Sequence, residues 1–296
     1  MTTIMLVDNG SRRADATLAL RRISAALAQR LERPVHPVSL LHSSKVPAEA
    51  LNGRPADILE SFLSRKAVEG HSQFLAVPLF FGPSRALTKA IPETAAKVSA
   101  AGHPVQVAVA DELCPLPIGE PRLAAILDRA IRTAIRGLNH PNLSRSSKHD
   151  AAPQAVLVDH GSPIPQVTAV RRWLTAELKT LARGDYRISE AAMERRSGPE
   201  YAFNGALLEE ALAAIGHSEP QAQVVIGMQF IGPGRHAGKD GDVVSICQEA
   251  QKRFPGLGVS ISGLVGEDEG LIDILADRAT LALQACDRVS LPCSAA

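Results

Sequence analysis

The sequence predicts an α/β fold of two tandem domains, each a parallel β-sheet flanked by helices, that are related by internal duplication. The segment 6–11 (LVDNGS) recurs as 157–162 (LVDHGS), and 81–86 (FGPSRA) recurs as 231–236 (IGPGRH). The offset between copies is 151 residues for the first motif and 150 for the second, and so constant a spacing indicates a duplicated domain. Short apolar runs also alternate with amphipathic segments, as in a parallel sheet covered on both faces.

Each element of the first half follows from its pattern. The run 4–7 is apolar and ends at Asn9-Gly10-Ser11, which predicts a buried strand and a turn. Apolar residues at helical spacing then place Leu18, Ile23 and Leu27 on one side of a helix. The same criteria predict strands at 4–7, 35–41, 74–81 and 105–110, and helices at 14–31, 56–66, 91–100 and 121–136.

The second half repeats this order after a stretch rich in Asn, Pro, Ser, Lys and His. Strands are predicted at 155–158, 186–193, 223–231 and 259–264, and helices at 167–181, 204–215, 242–254 and 271–286. The polar stretch reads as an interdomain linker, with His140 and His149 as solvated linker residues. The predicted organisation is therefore a domain at 1–137, a linker at 138–154 and a domain at 155–296.

Composition excludes several classes of protein. The net charge of +1 gives no case for nucleic acid or an anionic membrane as partner. The four cysteines form no CxxC pair, which argues against a disulfide framework or an iron–sulfur cluster. No apolar run reaches the length of a membrane span, and the first residues enter a strand without a signal-like segment. We therefore expect a cytoplasmic protein.

Candidate chemistry gathers at one edge of the second predicted sheet. His160 follows its first strand, Glu194 ends its second, and His236 follows its third. Ligands of open parallel sheets bind beyond the carboxyl ends of the strands, so these side chains are expected to share one rim. Two imidazoles and a carboxylate there can bind a divalent transition metal or accept the protons that a metal displaces.

The sequence allows two interpretations for several neighbouring residues. Glu194 is either a member of the site or part of a solvated, charged loop. Asp242 is preferred as a helix N-cap over a metal ligand. The backbone N–H groups of Gly232 and Gly234 can bind an anionic ligand, and the guanidinium groups of Arg195 and Arg235 suit a polycarboxylate ligand. Ordinary surface charge is the alternative for each arginine.

The stretches 158–162 (VDHGS) and 228–236 (MQFIGPGRH) resemble the sirohydrochlorin chelatase family of the CbiX type, in its long two-domain form. The resemblance spans nearly the whole chain and implies kinship with ferrochelatase-like folds. It implies insertion of Co²⁺, or alternatively Fe²⁺ or Ni²⁺, into sirohydrochlorin in cobalamin or siroheme biosynthesis. The divalent metal is then a substrate, the tetrapyrrole is the other, and no organic cofactor is required.

By this resemblance, His160 and His236 are the metal-binding and proton-removing pair, and Glu194 assists them as the third catalytic residue. The first half departs from the pattern, because Asn9 and Ala86 stand in place of the histidines and His42 stands near the position of Glu194. We therefore expect a degenerate, inactive site in the first half.

Two other functions compete with the chelatase reading. Loss of the first-half histidines motivates a non-catalytic tetrapyrrole or metal carrier. A hydrolase that uses Ser162 or His160 is the third hypothesis, but the GxSxG nucleophile elbow is missing from the sequence. A monomer is sufficient for one site, and a homo-oligomer is equally compatible with the sequence.

Overall fold

The structure is a computed structural model that describes residues 2–138 and 152–290. Nine strands alternate with eight α-helices over these residues. The strands are β1 (Thr3–Asp8), β2 (Val35–Ser39), β3 (Asp57–Ile58), β4 (Gln73–Pro78), β5 (Gln106–Val109), β6 (Gln154–Asp159), β7 (Arg187–Ala192), β8 (Gln223–Met228) and β9 (Gly258–Ile261). The helices are α1 (Ala14–Leu31), α2 (Leu59–Val68), α3 (Ile91–Ala100), α4 (Pro121–Leu138), α5 (Pro165–Ala182), α6 (Leu208–Ser218), α7 (Asp242–Arg253) and α8 (Gly270–Ser290).

The first compact unit comprises residues 1–118 and 269–296. Its five strands pair in parallel in the order β3-β2-β1-β4-β5. One face of this sheet packs against α2 and α3 through a buried apolar cluster that includes Met5, Phe62 and Ile91. Helices α1 and α8 contact each other, and α8 also contacts β4 and β5.

The second compact unit comprises residues 119–268. Its four strands pair in parallel in the order β7-β6-β8-β9, which repeats the first sheet without its outermost strand. A single bridge between Ala192 and Leu207 stands where β3 pairs with β2 in the first sheet. The core between this sheet, α6 and α7 is again aliphatic, with Val158, Leu212 and Met228 among its members.

The last helix of each sequence half packs in the compact unit of the other half. Helix α4 comes from the first half, yet it contacts α5, β8 and β9 of the second unit. Helix α8 comes from the second half and contacts α1, β4 and β5 of the first. The compact units therefore differ from the predicted contiguous domains 1–137 and 155–296. The reason is that α4 covers the sheet of the second unit and α8 covers the sheet of the first, although both helices are amphipathic and similar in pattern.

The predicted α/β class and the order of elements are confirmed. The helix predicted at 56–66 begins at Leu59 because Asp57–Ile58 pair with β2 as β3. The helix predicted at 204–215 begins at Leu208 because Pro199–Asn204 form a 3₁₀ helix. The predicted linker at 138–154, with His140 and His149, lies mostly in 139–151, outside the described residues.

Across residues 2–138 and 152–290, no helix has both the length and the apolar character that a membrane crossing requires.

Candidate active site

The candidate site lies in the second unit, at the point where its strand order reverses. The chain runs from β6 to β7 on one side of β6 and then returns to β8 on the other side. His160 directly follows β6, and His236 follows β8 after a loop. The crevice between two such strands is the usual ligand site of open α/β sheets, so the topology brings both histidines to the expected edge.

A glycine turn sets the position of His160. Gly161 has φ +87°, and a Cβ there would lie 1.8 Å from the Glu194 carbonyl oxygen. The Glu194 backbone N–H donates to the His160 carbonyl at 3.1 Å. Only glycine tolerates both the left-handed conformation and this close approach. The turn therefore holds the backbones of His160 and Glu194 side by side.

The two imidazoles face each other through their Nε2 atoms. His160 Nε2 and His236 Nε2 lie 3.1 Å apart, and the ring centroids lie 4.5 Å apart with the planes tilted by 58°. The His236 side chain is 22% exposed and that of His160 is 48% exposed. The pair is therefore reachable from solvent on the His160 side and held more firmly on the His236 side.

Their other nitrogens fix the tautomers. His160 Nδ1 lies 3.1 Å from the Gly161 carbonyl oxygen, which only accepts hydrogen bonds. His236 Nδ1 lies 2.6 Å from Asp242 Oδ2 and donates to that carboxylate. With both Nδ1 atoms protonated, each neutral ring presents an Nε2 lone pair to the other.

Two lone pairs at 3.1 Å repel each other unless a cation lies between or beside them. Two nitrogens that each lie about 2.0–2.1 Å from one metal ion are about 2.8–3.4 Å apart at bond angles of about 90–110°. The observed separation falls in that range. The spacing of the two nitrogens is therefore compatible with a transition-metal ion or with a shared proton.

Glu194 joins the pair at its exposed side. Its Oε1 lies 3.2 Å from His160 Nε2, and its side chain is 61% exposed. A protonated His160 Nε2 donates to this carboxylate, so Glu194 can stabilise or receive a proton held there. The structure thus brings the side chains of His160, His236 and Glu194 together at one edge of the sheet. Among the described residues, no group of three or more His, Cys, Asp or Glu side chains is arranged to hold a metal ion.

Asp242 has a different role from the one predicted. Gly241, not Asp242, occupies the N-cap of α7, and Asp242 is the first helical residue. Its carboxylate accepts from His236 Nδ1 instead of capping the helix. Gly241 also packs closely, since a Cβ there would lie 2.4 Å from the His236 carbonyl oxygen. An acidic residue six positions after His236 was the available sequence signal, but only the folded loop aims it at the ring.

A buried ion pair supports the strand that ends at His160. Arg171 of α5 is fully buried and donates to Asp159 Oδ1 and to the Asn204 carbonyl. The Asn204 side chain accepts from the Ser162 backbone N–H at 3.1 Å. Burial raises the pKa of Asp159, and the charge and hydrogen bond of Arg171 partly offset that effect. The network anchors both sides of the His160 turn.

The predicted ligand-binding residues are placed unequally. Arg235 is 78% exposed and lies 3.6 Å from Asp242 Oδ2, so most of its guanidinium faces solvent beside His236. Arg195 donates to the Gly205 carbonyl and lies 3.2 Å from Glu210 Oε1, so its guanidinium is already bound within the protein. Gly232 and Gly234 lie in the loop between β8 and α7, and a Cβ at Gly234 would meet nothing within 4 Å.

The corresponding edge of the first unit lacks the site chemistry. Gly10 has φ +84°, and a Cβ there would lie 1.7 Å from the Leu41 carbonyl oxygen, as at Gly161 and Glu194. The counterpart of Glu194 is therefore Leu41, and His42 is the next residue, near that position as expected. Asn9 and Leu41, with Ala86 at the start of a π-helical turn, offer no imidazole or carboxylate.

Solved structures confirm the resemblance at the level of fold. SirB from Bacillus subtilis with Fe³⁺ matches with a TM-score of 0.62 and 12% identity, over 97% of this chain and 98% of that one. The sirohydrochlorin chelatase SirB from Bacillus subtilis subspecies spizizenii, in complex with cobalt, matches with a TM-score of 0.62, 14% identity and the same coverage. CbiX, described as the terminal enzyme for biosynthesis of siroheme in denitrifying bacteria, matches with a TM-score of 0.56 and 14% identity, over 95% and 99%. Neither protein-family models nor curated protein sequences give a match.

Proposed function

We propose that the protein inserts a divalent metal ion into sirohydrochlorin, with Co²⁺ favoured and Fe²⁺ or Ni²⁺ as alternatives. The observation that carries this proposal is the facing imidazole pair, His160 and His236, with Nε2 atoms 3.1 Å apart at the switch point of the second sheet. Support comes from the fold, which the chain shares with SirB and CbiX. Imidazole nitrogen is a suitable ligand for each of these metals, so the two histidines do not determine which metal is bound.

The pair performs two tasks in sequence. Metallation bonds the ion to the four ring nitrogens and breaks the two pyrrole N–H bonds, so two protons are released for each M²⁺ that enters the ring. The Nε2 lone pairs of His160 and His236 hold the ion first, and they become free as it passes to the macrocycle. The same lone pairs can then accept the two protons. The exchange of one M²⁺ for two H⁺ leaves the charge of the site unchanged.

The neighbouring side chains assist this exchange. Glu194 lies 3.2 Å from His160 Nε2 and is exposed, so it passes a proton from the imidazole to solvent. Arg235, exposed beside His236, is the arginine best placed to bind a carboxylate of the macrocycle. Arg195 is bound to Gly205 and Glu210, so its assigned role in substrate binding requires release of those contacts.

The test is anaerobic absorbance of sirohydrochlorin with the protein and Co²⁺, Fe²⁺ or Ni²⁺. We expect the parent protein to accelerate formation of the metallated spectrum over the uncatalysed background. The His160→Ala/His236→Ala variant is expected to lose at least about 100-fold of that acceleration, because it removes both the metal donors and the proton acceptors.

The matched control is His217→Ala, which removes an exposed histidine of α6 in the same unit. Its rate should equal that of the parent protein. Tight binding of sirohydrochlorin or metal without acceleration by the parent protein would favour the alternative, a non-catalytic tetrapyrrole or metal carrier. Full activity in the double variant would contradict the assignment of the site.

Asp242 gives a second, finer prediction. Its carboxylate accepts from His236 Nδ1 at 2.6 Å and so keeps the Nε2 lone pair directed at His160. Loss of such an outer partner typically costs about 10–100-fold in metal affinity or activity. We expect Asp242→Ala to weaken Co²⁺ binding, followed by its d–d absorbance, by that factor. Asp242→Asn should lose less, since its side-chain oxygen still accepts a hydrogen bond.

Asp240→Ala is the control for this measurement, because Asp240 is an exposed acid in the same loop. If Asp240→Ala weakens Co²⁺ binding as much as Asp242→Ala, the effect is general electrostatic attraction and the orienting role of Asp242 is refuted.

A further inference from the structure

Asp8 and Asp159 are corresponding carboxylates of the two units, and their surroundings differ. Asp159 and Asp8 each end the strand before the glycine turn, and the helices α5 and α1 begin six residues later. The residue twelve positions after Asp159 is Arg171, whose guanidinium pairs with Asp159. The residue twelve positions after Asp8 is Leu20. Helix α1 therefore supplies no cation at the position where α5 supplies one.

The charge of the Asp8 carboxylate is therefore not balanced by a cation from α1. Its carboxyl group accepts from the Ser39 hydroxyl and the Gly10 backbone, and burial raises its pKa to about 6. Its Oδ1 atom is buried and has no hydrogen-bond partner among the described residues. Thr17 of α1 is 4% exposed, and its hydroxyl also lacks a partner within that part of the chain. The counterpart hydroxyl of Thr168 bonds to Asn204 Oδ1 at 3.2 Å.

A cavity of about 40 Å³ lies beside Thr17 and Ser39, with room for about three water-sized molecules. Its lining is Thr17, Leu20, Arg21, Pro37, Ser39, Pro55, Ala56 and Asp57. In the sheet registers, Pro37 pairs with Leu6 as Glu190 pairs with Leu157. The cavity is thus bounded by Leu20, the counterpart of Arg171, and by Pro37, the counterpart of Glu190. It also reaches Ser39, whose hydroxyl bonds to Asp8.

Arg21 occupies only the outer part of this region. Its guanidinium donates to the carbonyls of Leu51, Arg54 and Pro55 at 2.6–3.0 Å. The Asp57 carboxylate at the cavity rim is held by both terminal nitrogens of Arg65. The polar lining groups that remain for a ligand are therefore the hydroxyls of Thr17 and Ser39. Ser39 is in turn hydrogen-bonded to the Asp8 carboxylate, which lies next to it across the sheet.

We propose that the cavity between α1, β2 and β3 binds a guanidinium-type cation, which takes beside Asp8 the place that the Arg171 side chain takes beside Asp159. A guanidinium group is planar and carries several N–H donors, so one ligand can satisfy a carboxylate and a hydroxyl together. This site is separate from the imidazole pair and does not depend on the proposed chelatase activity.

The test compares the melting temperature of the full chain in guanidinium chloride and in sodium chloride, each at about 20 mM, well below denaturing concentrations. We expect guanidinium to raise the Tm by about 1–3 °C relative to sodium, since it binds the folded state alone. Methylammonium, with fewer donors, should raise it less. Isothermal titration with guanidinium should give one site per chain.

Three variants locate the effect. Asp8→Asn should abolish the guanidinium response, and Leu20→Arg should abolish it by filling the cavity from within. Asp15→Asn, which removes an exposed acid of the same helix, should keep it. The proposal is overturned if the parent protein shows no response, if methylammonium acts as strongly, or if the response survives in both Asp8→Asn and Leu20→Arg.

Discussion

Replacing Arg171 by alanine is expected to lower the free energy of unfolding by about 3–5 kcal/mol, the typical cost of removing one partner of a buried ion pair. Arg171 is fully buried, donates to Asp159 Oδ1 and the Asn204 carbonyl, and lies 3.5 Å from Glu190 Oε2. Without it, a carboxylate stays buried with no compensating charge. Because a domain is stable by only about 5–15 kcal/mol, this single change should be visible as a large shift in the urea midpoint.

The loss should depend on pH. Burial already raises the pKa of Asp159 in the folded state, and Arg171 opposes that shift, so the variant raises it further. A carboxyl group with a raised folded-state pKa stabilises the fold when protonated, and that contribution is lost as pH rises through the folded pKa. The deficit of Arg171→Ala should therefore be larger at about pH 8 than at about pH 5.

Two further variants separate charge from packing. Arg172→Ala removes the neighbouring, exposed arginine and should cost less than about 1 kcal/mol. Arg171→Leu combined with Asp159→Asn should recover much of the loss, because it removes the buried charge while Leu20 already fills the matching position in α1. If Arg171→Ala and Arg172→Ala have equal stability, the buried pair does not support the His160 turn.

The fragment 119–268 is expected to unfold cooperatively, and the fragment 155–296 is not. The first contains a whole compact unit, including α4. The second corresponds to the repeated sequence half and lacks that helix. In α4, six buried residues face the sheet and α5: Leu123, Ala124, Ile126, Leu127, Ile131 and Ala134. Burial of such side chains contributes about 1.5–3 kcal/mol for each large one, so their loss approaches the stability of a domain.

Contact between α4 and β8 is close enough to be specific. A Cβ at Gly227 of β8 would lie 3.0 Å from Ile131 Cδ1, so a glycine lets this helix approach the strand. Far-UV circular dichroism and urea titration of the two fragments provide the measurement. A cooperative transition in 155–296, with none in 119–268, would mean that the contiguous half is the folding unit.

Much of the site could be predicted because its residues lie in fixed positions relative to strands. A residue within two positions of the end of a buried parallel strand emerges at the carboxyl edge of the sheet, and this holds for His160 and Glu194. The repeated glycine turn also marks its own geometry, since Gly10 and Gly161 share a left-handed conformation. Asp242 could not be assigned in the same way, because a loop of thirteen residues between β8 and α7 decides where its carboxylate points.

The sequence by itself determined the alternation of strands and helices, the repeat, and the edge at which the histidines of the second half meet. Periodicity and strand ends are local properties of the chain, so they are legible without a fold. Only the tertiary structure decided which sheet α4 and α8 cover and which residue of the first unit corresponds to Glu194. It also decided that Arg171 forms an ion pair with Asp159, whereas Leu20 provides no cation for Asp8. In each case several chemically similar residues could make the contact, and their distance from one another in the folded chain determines which of them do.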